Sequence, residues 1–317
     1  ISYNGEIYNF KKKTNELNKS GIRLDNGTDT AVLLELIVQY GLTDAIRMIE
    51  GMFAFALWDN KLKKLYLVRD RFGEKPLFYC KTNELVIFGS ELKIIKNQSL
   101  FNLEISQKAS FYYSLLGYIP APFTIYENVF KVMPSQIIEI DKFKNFEKSK
   151  YYSYRNISTE EESNYLSFKK KIKKSLNNSI KKMMIADVEV GCFLSGGVDS
   201  SLVAYLMQKN SEKKISTFSV GFNEKEYDES TYARQISDSI GSNHHQLMVS
   251  SMDMLDNLES IINIFDEPFS DSSFIPTFLI SKLASSHVKV VMSGDGGDEM
   301  FLGYNRYIVA NKILKIK

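Results

Sequence analysis

An apolar run, VEVGCFL at 188–194, leads straight into Ser195, Gly196, Gly197, Val198, Asp199 and Ser200, and from there into a helical pattern. So short a passage from strand to helix, repeated down the second half of the chain, restricts the fold. Strand-like runs at 188–194, 215–221, 245–249 and 288–292 are separated by helical stretches at 201–208, 230–240, 252–265 and 274–285. This alternation predicts a parallel, doubly wound α/β sheet. The Lys-rich run 168–184 precedes it, with Ile172, Leu176, Ile180 and Met183 at helical spacing, as a packed surface helix.

The first half reads differently. Strands at 51–59, 64–70, 77–81 and 84–88 follow one another with short connections, which favours antiparallel pairing. A helix at 30–40, capped by Thr28 or Asp29, precedes them, and another starts at Ser90. Strands grouped together with helices at their margins are an α+β pattern. Between 141 and 164 the chain is polar and without clear periodicity, so we expect domains at 1–145 and 165–317. A length of 317 residues, 44% hydrophobic and 25% charged, suits two cores.

The 40 basic and 38 acidic side chains leave a net charge of +2, too little to require nucleic acid or an anionic membrane as a partner. No run of about 18 uncharged apolar residues and no charged-then-apolar leader occurs, so a cytoplasmic location is the expectation. Cys80 and Cys192 are the only cysteines and lie in apolar strand-like runs, as buried free thiols do. Residue 1 is Ile, close to a motif, and residue 317 falls soon after another; both ends read as truncations.

The glycine-rich turn at 195–200 carries chemistry. A helix start offers free N–H groups and a favourable dipole to an anion. Gly196 and Gly197 let the backbone close around phosphate oxygens, and Ser195 and Ser200 donate hydroxyl hydrogen bonds. Asp199 would repel a phosphate unless a divalent cation lay between them, so the pattern points to Mg²⁺ bridging a nucleotide. No GxxxxGK[ST] occurs, which excludes the Walker loop. A second turn, Ser293, Gly294, Asp295, Gly296, Gly297, Asp298, Glu299, also follows a strand. With strand order 3-2-1-4, both turns open into one crevice at the topological switch point, and three acids face the phosphate loop.

The segments SGGVDS, TFSVGF, YDESTYAR, GSNHHQ and SGDGGDE, in this order, resemble the synthetase domain of class B asparagine synthetases, an ATP pyrophosphatase (PP-loop) fold. The resemblance implies ATP held by Leu194, Ser195, Gly196, Gly197, Val198, Asp199, Ser200, Val220, Ser293 and Gly294. It also implies Mg²⁺ at Asp199 and Asp298, and an essential acid at Asp295, where many family members have Glu. The implied reaction is attack of a carboxylate on the α-phosphate of ATP, release of pyrophosphate, and displacement of AMP by ammonia.

Upstream, NGEIYN at 4–9, then GMFAFALWD, LVRDRFGEKPLFY and FGSELK, resemble the class II glutamine amidotransferase domain, an Ntn-type antiparallel sandwich. By that resemblance Asn4 and Gly5 form an oxyanion hole, and Asn4, Gly5, Glu6 and Asp29 bind glutamine. Neither Cys80 nor Cys192 matches the family's amino-terminal nucleophile, so the chain as given is expected not to hydrolyse glutamine. The implied acceptor is aspartate. Residues 266–273, DEPFSDSS, look more like branches acting on bacterial surface glycans, so amidation of a uronic acid or another carboxylate stays open. Their acids and serines read equally as an acceptor site or as a capped loop. A non-catalytic nucleotide sensor is the alternative from another class, disfavoured by the presence of Asp199, Asp295 and Asp298 together. His244 and His245, adjacent on a strand, would point to opposite faces and pack structurally. Oligomeric state, a homodimer included, is left open.

Overall fold

The computed structural model describes residues 1–24, 27–82, 85–98, 103–154, 164–223 and 228–315. The chain forms two compact units: residues 1–161 with 264–271, and residues 162–263 with 272–317. Of the sequence-based expectations, Glu84 of the fourth strand, residues 155–163 of the polar stretch and Tyr227 of YDESTYAR lie outside the described residues.

The first unit holds β1 (Ser2–Ile7), α1 (Phe10–Lys19), α2 (Asp29–Tyr40), α3 (Leu42–Met48), β2 (Gly51–Asp59), β3 (Lys64–Arg69), β4 (Phe78–Lys81), β5 (Val86–Gly89), α4 (Leu92–Lys96), α5 (Gln107–Leu116), β6 (Val129–Lys131), β7 (Gln136–Ile140) and β8 (Phe146–Lys150). Its strands form two antiparallel sheets, ordered β1-β2-β3-β7-β8 and β5-β4-β6.

Alternation along the strands builds the layers. Phe53, Phe55 and Leu57 of β2 face one way, into a core with Val32, Leu33 and Leu36 of α2 and Ile46 of α3. Ala54 and Ala56 face the other way and meet Tyr79 of β4, so the small side chains of one sheet receive the large ones of the other. The far face of β4 offers Cys80 to Leu92 and Ile95 of α4. The order is helices, sheet, sheet, helix.

Strand β1 is one of the elements that periodicity did not reveal. It joins the larger sheet at its edge, with Asn4 opposite Ala54 and Gly5 opposite Phe53. The approach is so close that a Cβ at Gly5 would lie 2.7 Å from Phe53 Cα and overlap the Met52 carbonyl oxygen.

The second unit holds α6 (Tyr165–Met183), β9 (Val190–Phe193), α7 (Val198–Asn210), β10 (Ser216–Phe222), α8 (Ser230–Ile240), β11 (Asn243–Val249), α9 (Ser251–Asp256), α10 (Leu258–Ile264), α11 (Phe274–Ser285), β12 (Val290–Met292), α12 (Gly297–Phe301) and α13 (Asn305–Leu314). The sheet is parallel and ordered β11-β10-β9-β12, which meets the 3-2-1-4 condition under which both turns open into one crevice. Cys192 and Leu194 are fully buried with Ala204 and Met207 of α7 and Ile180 of α6. The one long helix expected over 252–265 is two, because Asn257 caps α9 and its Nδ2 donates to the Asp253 carbonyl oxygen at 2.8 Å. Among the described residues no helix is long and apolar enough to cross a membrane.

Candidate functional sites

In the first unit the sequence-expected residues gather on β1. Asn4 and Glu6 project to one side of the strand, two residues apart, and both are exposed. Asn4 Nδ2 donates to Ser90 Oγ at 3.1 Å, a contact the sequence did not suggest. Asp29 is the first residue of α2, set there because Thr28 caps the helix by accepting from Ala31 N. Its Oδ2 accepts from Ile7 N at 3.2 Å and from the Tyr3 hydroxyl at 3.1 Å, while Oδ1 accepts from the Thr30 hydroxyl. Burial and the adjacent Asp29 carboxylate push the Tyr3 phenol well up from its usual range, so it stays a donor. Asn9, the last residue of NGEIYN, is structural. It donates to Met48 O and accepts from Glu50 N, tying the end of β1 to the start of β2.

Behind this strand, RDRFGEKP folds around two side chains. Asp70 is fully buried and accepts from the N–H groups of Phe53, Phe72, Gly73, Glu74 and Lys75. Arg69 donates to the carbonyls of Gly73, Lys75 and Val132. The loop presents Glu74, whose carboxyl is pushed up by burial and then by Asp70. Its signal in the sequence was the Arg-Asp pair before Gly73.

Neither cysteine is placed as a nucleophile. Cys80 and Cys192 are buried, and burial raises both thiols, Cys192 up to about 12.

In the second unit the two glycine-rich turns follow adjacent parallel strands, β9 and β12, whose register pairs Cys192 with Met292. The chain leaves β9 toward β10 on one side and returns to β12 on the other, so the turns flank the switch point. The first turn is set by its own hydroxyls. Ser195 Oγ and Ser200 Oγ lie 2.9 Å apart, Ser200 Oγ accepts from Ser195 N, and Ser195 Oγ accepts from Gly197 N. Leu194 anchors the turn from the core through its N–H to Phe218 O, while Val198 opens α7 with its side chain 83% exposed. Gly196 has φ +88°, a left-handed conformation that glycine adopts without strain.

The second turn lies directly on the first. A Cβ at Gly294 would sit 2.8 Å from Ser200 N and 3.1 Å from Asp199 Cβ, and one at Gly297 would reach within 2.5 Å of Asp199 Cγ. Asp199 therefore rests its carboxylate on the backbone of the second turn. Of the three acids expected to face the phosphate loop, two are hydrogen-bonded within their own segment. Asp295 Oδ2 accepts from Ser293 Oγ at 2.9 Å, and Glu299 accepts from the Tyr304 hydroxyl at 2.8 Å; only Asp298, half-buried beside Gly303, follows Gly297 directly. The Ser293–Asp295 contact is local, since short polar side chains at a turn satisfy one another. Val220 is half-buried near the end of β10.

Residues 266–271 are used differently from one of the two roles the sequence allowed. They pack within the first unit, where Lys93 N donates to Asp266, Glu267 pairs with Lys131 and accepts from Ile125 N, and Ser270 N donates to Gly117 O. Ser270 Oγ also meets the Tyr113 hydroxyl at 2.9 Å. These acids line a cavity of about 550 Å³ with Phe78, Tyr118 and Phe269, but their hydrogen bonds hold the loop itself.

The histidines behave as expected of strand neighbours. His244 sits between Thr217 Oγ1 and Ser219 Oγ at 3.0 and 3.1 Å, and burial followed by the Arg234 charge depresses its imidazole to about 4. His245 turns to the opposite face and stacks on Phe218. Among the described residues no group of three or more His, Cys, Asp or Glu side chains could form a metal cage.

Family models match along the chain, the glutamine amidotransferase domain over residues 1–152 and asparagine synthase over residues 171–314. The asparagine synthetase 2 (glutamine-hydrolyzing) assigned in Methanocaldococcus jannaschii is 38% identical over 97% of this chain and 59% of its own length. Asparagine synthetase (glutamine-hydrolyzing) 1 of Bacillus subtilis is 34% identical over 97% of this chain and 48% of its own length, and the Homo sapiens asparagine synthetase is 28% identical over 96% and 54%. The chain thus spans about half the length of the curated relatives it matches. A solved NH3-dependent NAD synthetase from Campylobacter jejuni, with a TM-score of 0.32 and 17% identity over 43% of this chain and 60% of that one, is too slight a likeness to define the fold.

Proposed function

Because this chain belongs to the glutamine-hydrolysing asparagine synthetase family, we propose that the protein is an ATP-consuming, glutamine-dependent amide ligase. It converts aspartate to asparagine through a β-aspartyl-AMP intermediate, with glutamine as nitrogen donor. The observation that carries the reading is the seat of Asp199 on the second turn, across the switch point from its own loop.

The N–H groups in the first turn of α7 have no intrahelical partners and would hold the pyrophosphate as it departs. Ser195 and Ser200, already interlocked, keep that backbone in shape. Asp199 and Asp298 are the residues to hold Mg²⁺. This cation takes one or two carboxylates together with phosphate oxygens and water, so a pair without an all-protein cage suits it. When bound, it would neutralise charge on the phosphates. Asp295 would turn from Ser293 to orient the acceptor or the incoming ammonia. In the first unit, an Ntn-type amidotransferase domain by this reading, Asn4 Nδ2 and Gly5 N–H would stabilise the oxyanion, with Glu6 and Asp29 holding glutamine's amino group.

The test is product analysis with full-length protein, ATP, Mg²⁺ and ammonia, offering aspartate against uronic acids. Release of AMP and pyrophosphate with aspartate is the expected result. Release of ADP and orthophosphate would overturn the chemistry, turnover only with a sugar acid would reassign the acceptor, and nucleotide binding without turnover would make the protein a sensor.

A further inference from the structure

Asn4 is an exposed side chain on an edge strand, and its amide donates outside that strand, to Ser90 Oγ. Ser90 comes from elsewhere, 86 residues away in sequence, and sits within hydrogen-bonding distance of that amide. Its backbone is held from both sides. Gly89 before it is in register with Phe78 of β4, and a Cβ there would lie 2.9 Å from Ile94, so strand and helix close tightly at this corner. Leu92 and Ile95 then root α4 in the core with Cys80 and Val129. The hydroxyl is thus carried by a rigid corner of the smaller sheet, while Asn4 is carried by the larger one.

An amide nitrogen has two N–H donors. With one given to Ser90 Oγ, the other remains for a ligand, in a position set by two sheets rather than by a free side chain. A donor gains from such fixing because charge that develops in a transition state is best met by dipoles already in place. We propose that Ser90 is a positioning residue for glutamine hydrolysis, holding the Asn4 amide where it meets the oxyanion. This rests on the reading of Asn4 given above.

The experiment compares Ser90→Ala, Ser90→Thr and Asn4→Ala in the full-length protein, measuring glutaminase kcat and KM and, separately, ammonia-driven pyrophosphate release. Ser90→Ala is expected to lower glutaminase kcat roughly 3- to 10-fold, the weight of one hydrogen bond, with KM little changed. Ser90→Thr, which keeps the hydroxyl, should restore most of it, and ammonia-driven turnover should be unaffected in both. Asn4→Ala should lose about 100-fold or more. A normal kcat in Ser90→Ala beside a crippled Asn4→Ala would overturn the role of Ser90 alone. A normal kcat in Asn4→Ala would remove the reading of Asn4, and the proposal with it. Equal losses in the glutamine- and ammonia-driven reactions of Ser90→Ala would mark a structural defect and overturn it too.

Discussion

Replacing Asp70 by Asn changes one atom of a fully buried side chain and is expected to unfold much of the margin of the first unit. Oδ1 accepts from Phe72, Gly73 and Glu74 N–H at 3.1, 2.6 and 2.9 Å, and Oδ2 accepts from Phe53 and Lys75 N–H at 3.2 and 2.8 Å. An amide keeps one acceptor oxygen. In its better orientation that oxygen faces the three donors, and an NH₂ group then faces Phe53 and Lys75. Two hydrogen bonds to a charged acceptor are lost, each worth about 1.5–3 kcal/mol, so the cost is about 3–6 kcal/mol. Domains are typically stable by only about 5–15 kcal/mol.

The assay is urea unfolding followed by tryptophan fluorescence, since the single tryptophan, Trp58, lies on β2 and reports on this unit. The control is Asp59→Asn, where a half-buried side chain accepts from Lys61 N and Leu62 N through Oδ1 alone, which the amide keeps, and the loss should stay below about 1 kcal/mol. A loss for Asp70→Asn as small as the control's would refute the claim that this carboxylate organises the loop.

Three further outcomes are expected. Gly294→Ala should weaken ATP binding about tenfold by calorimetry, because overpacking against Ser200 and Asp199 costs about 1–3 kcal/mol; an unchanged Kd would separate the second turn from the nucleotide. His244 is a base whose folded pKa, about 4, lies below its ordinary value, so its contribution to stability is fully present above about pH 6.5 and lost as pH falls toward 4. His244→Gln should flatten the fall of the urea midpoint over that window, and parallel profiles for the two proteins would count against it. Cys80 and Cys192 should resist a thiol reagent at pH 8 until urea is added, whereas rapid labelling of the native protein would contradict their burial.

How much of this was legible depends on what each residue does locally. Strand β2 announces itself as an apolar run buried on both faces and helix α2 by its one apolar face, and the alternation that predicted the parallel sheet arises from burial on both sides. Strand β1 does not, because Asn4, Gly5 and Glu6 have little apolar surface and their strand is defined by a partner more than forty residues away. The two glycine-rich turns could be read from their residues, but the seat of Asp199 on Gly297 is a tertiary contact. The fate of Asp266 and Glu267 was hidden for the same reason: a carboxylate in a loop looks alike whether it awaits a ligand or already holds a lysine.

The strand order has a consequence for how the chain is made. As it leaves the ribosome, β9 acquires β10 and then β11 on one side only. Its other edge, with Cys192 at the center of the future core, must wait until Val290–Met292 has been synthesised. Through that interval the nascent sheet shows an open, apolar strand edge, the kind of surface that captures neighbouring chains. The element that completes the crevice is thus also the one that covers the open edge of β9.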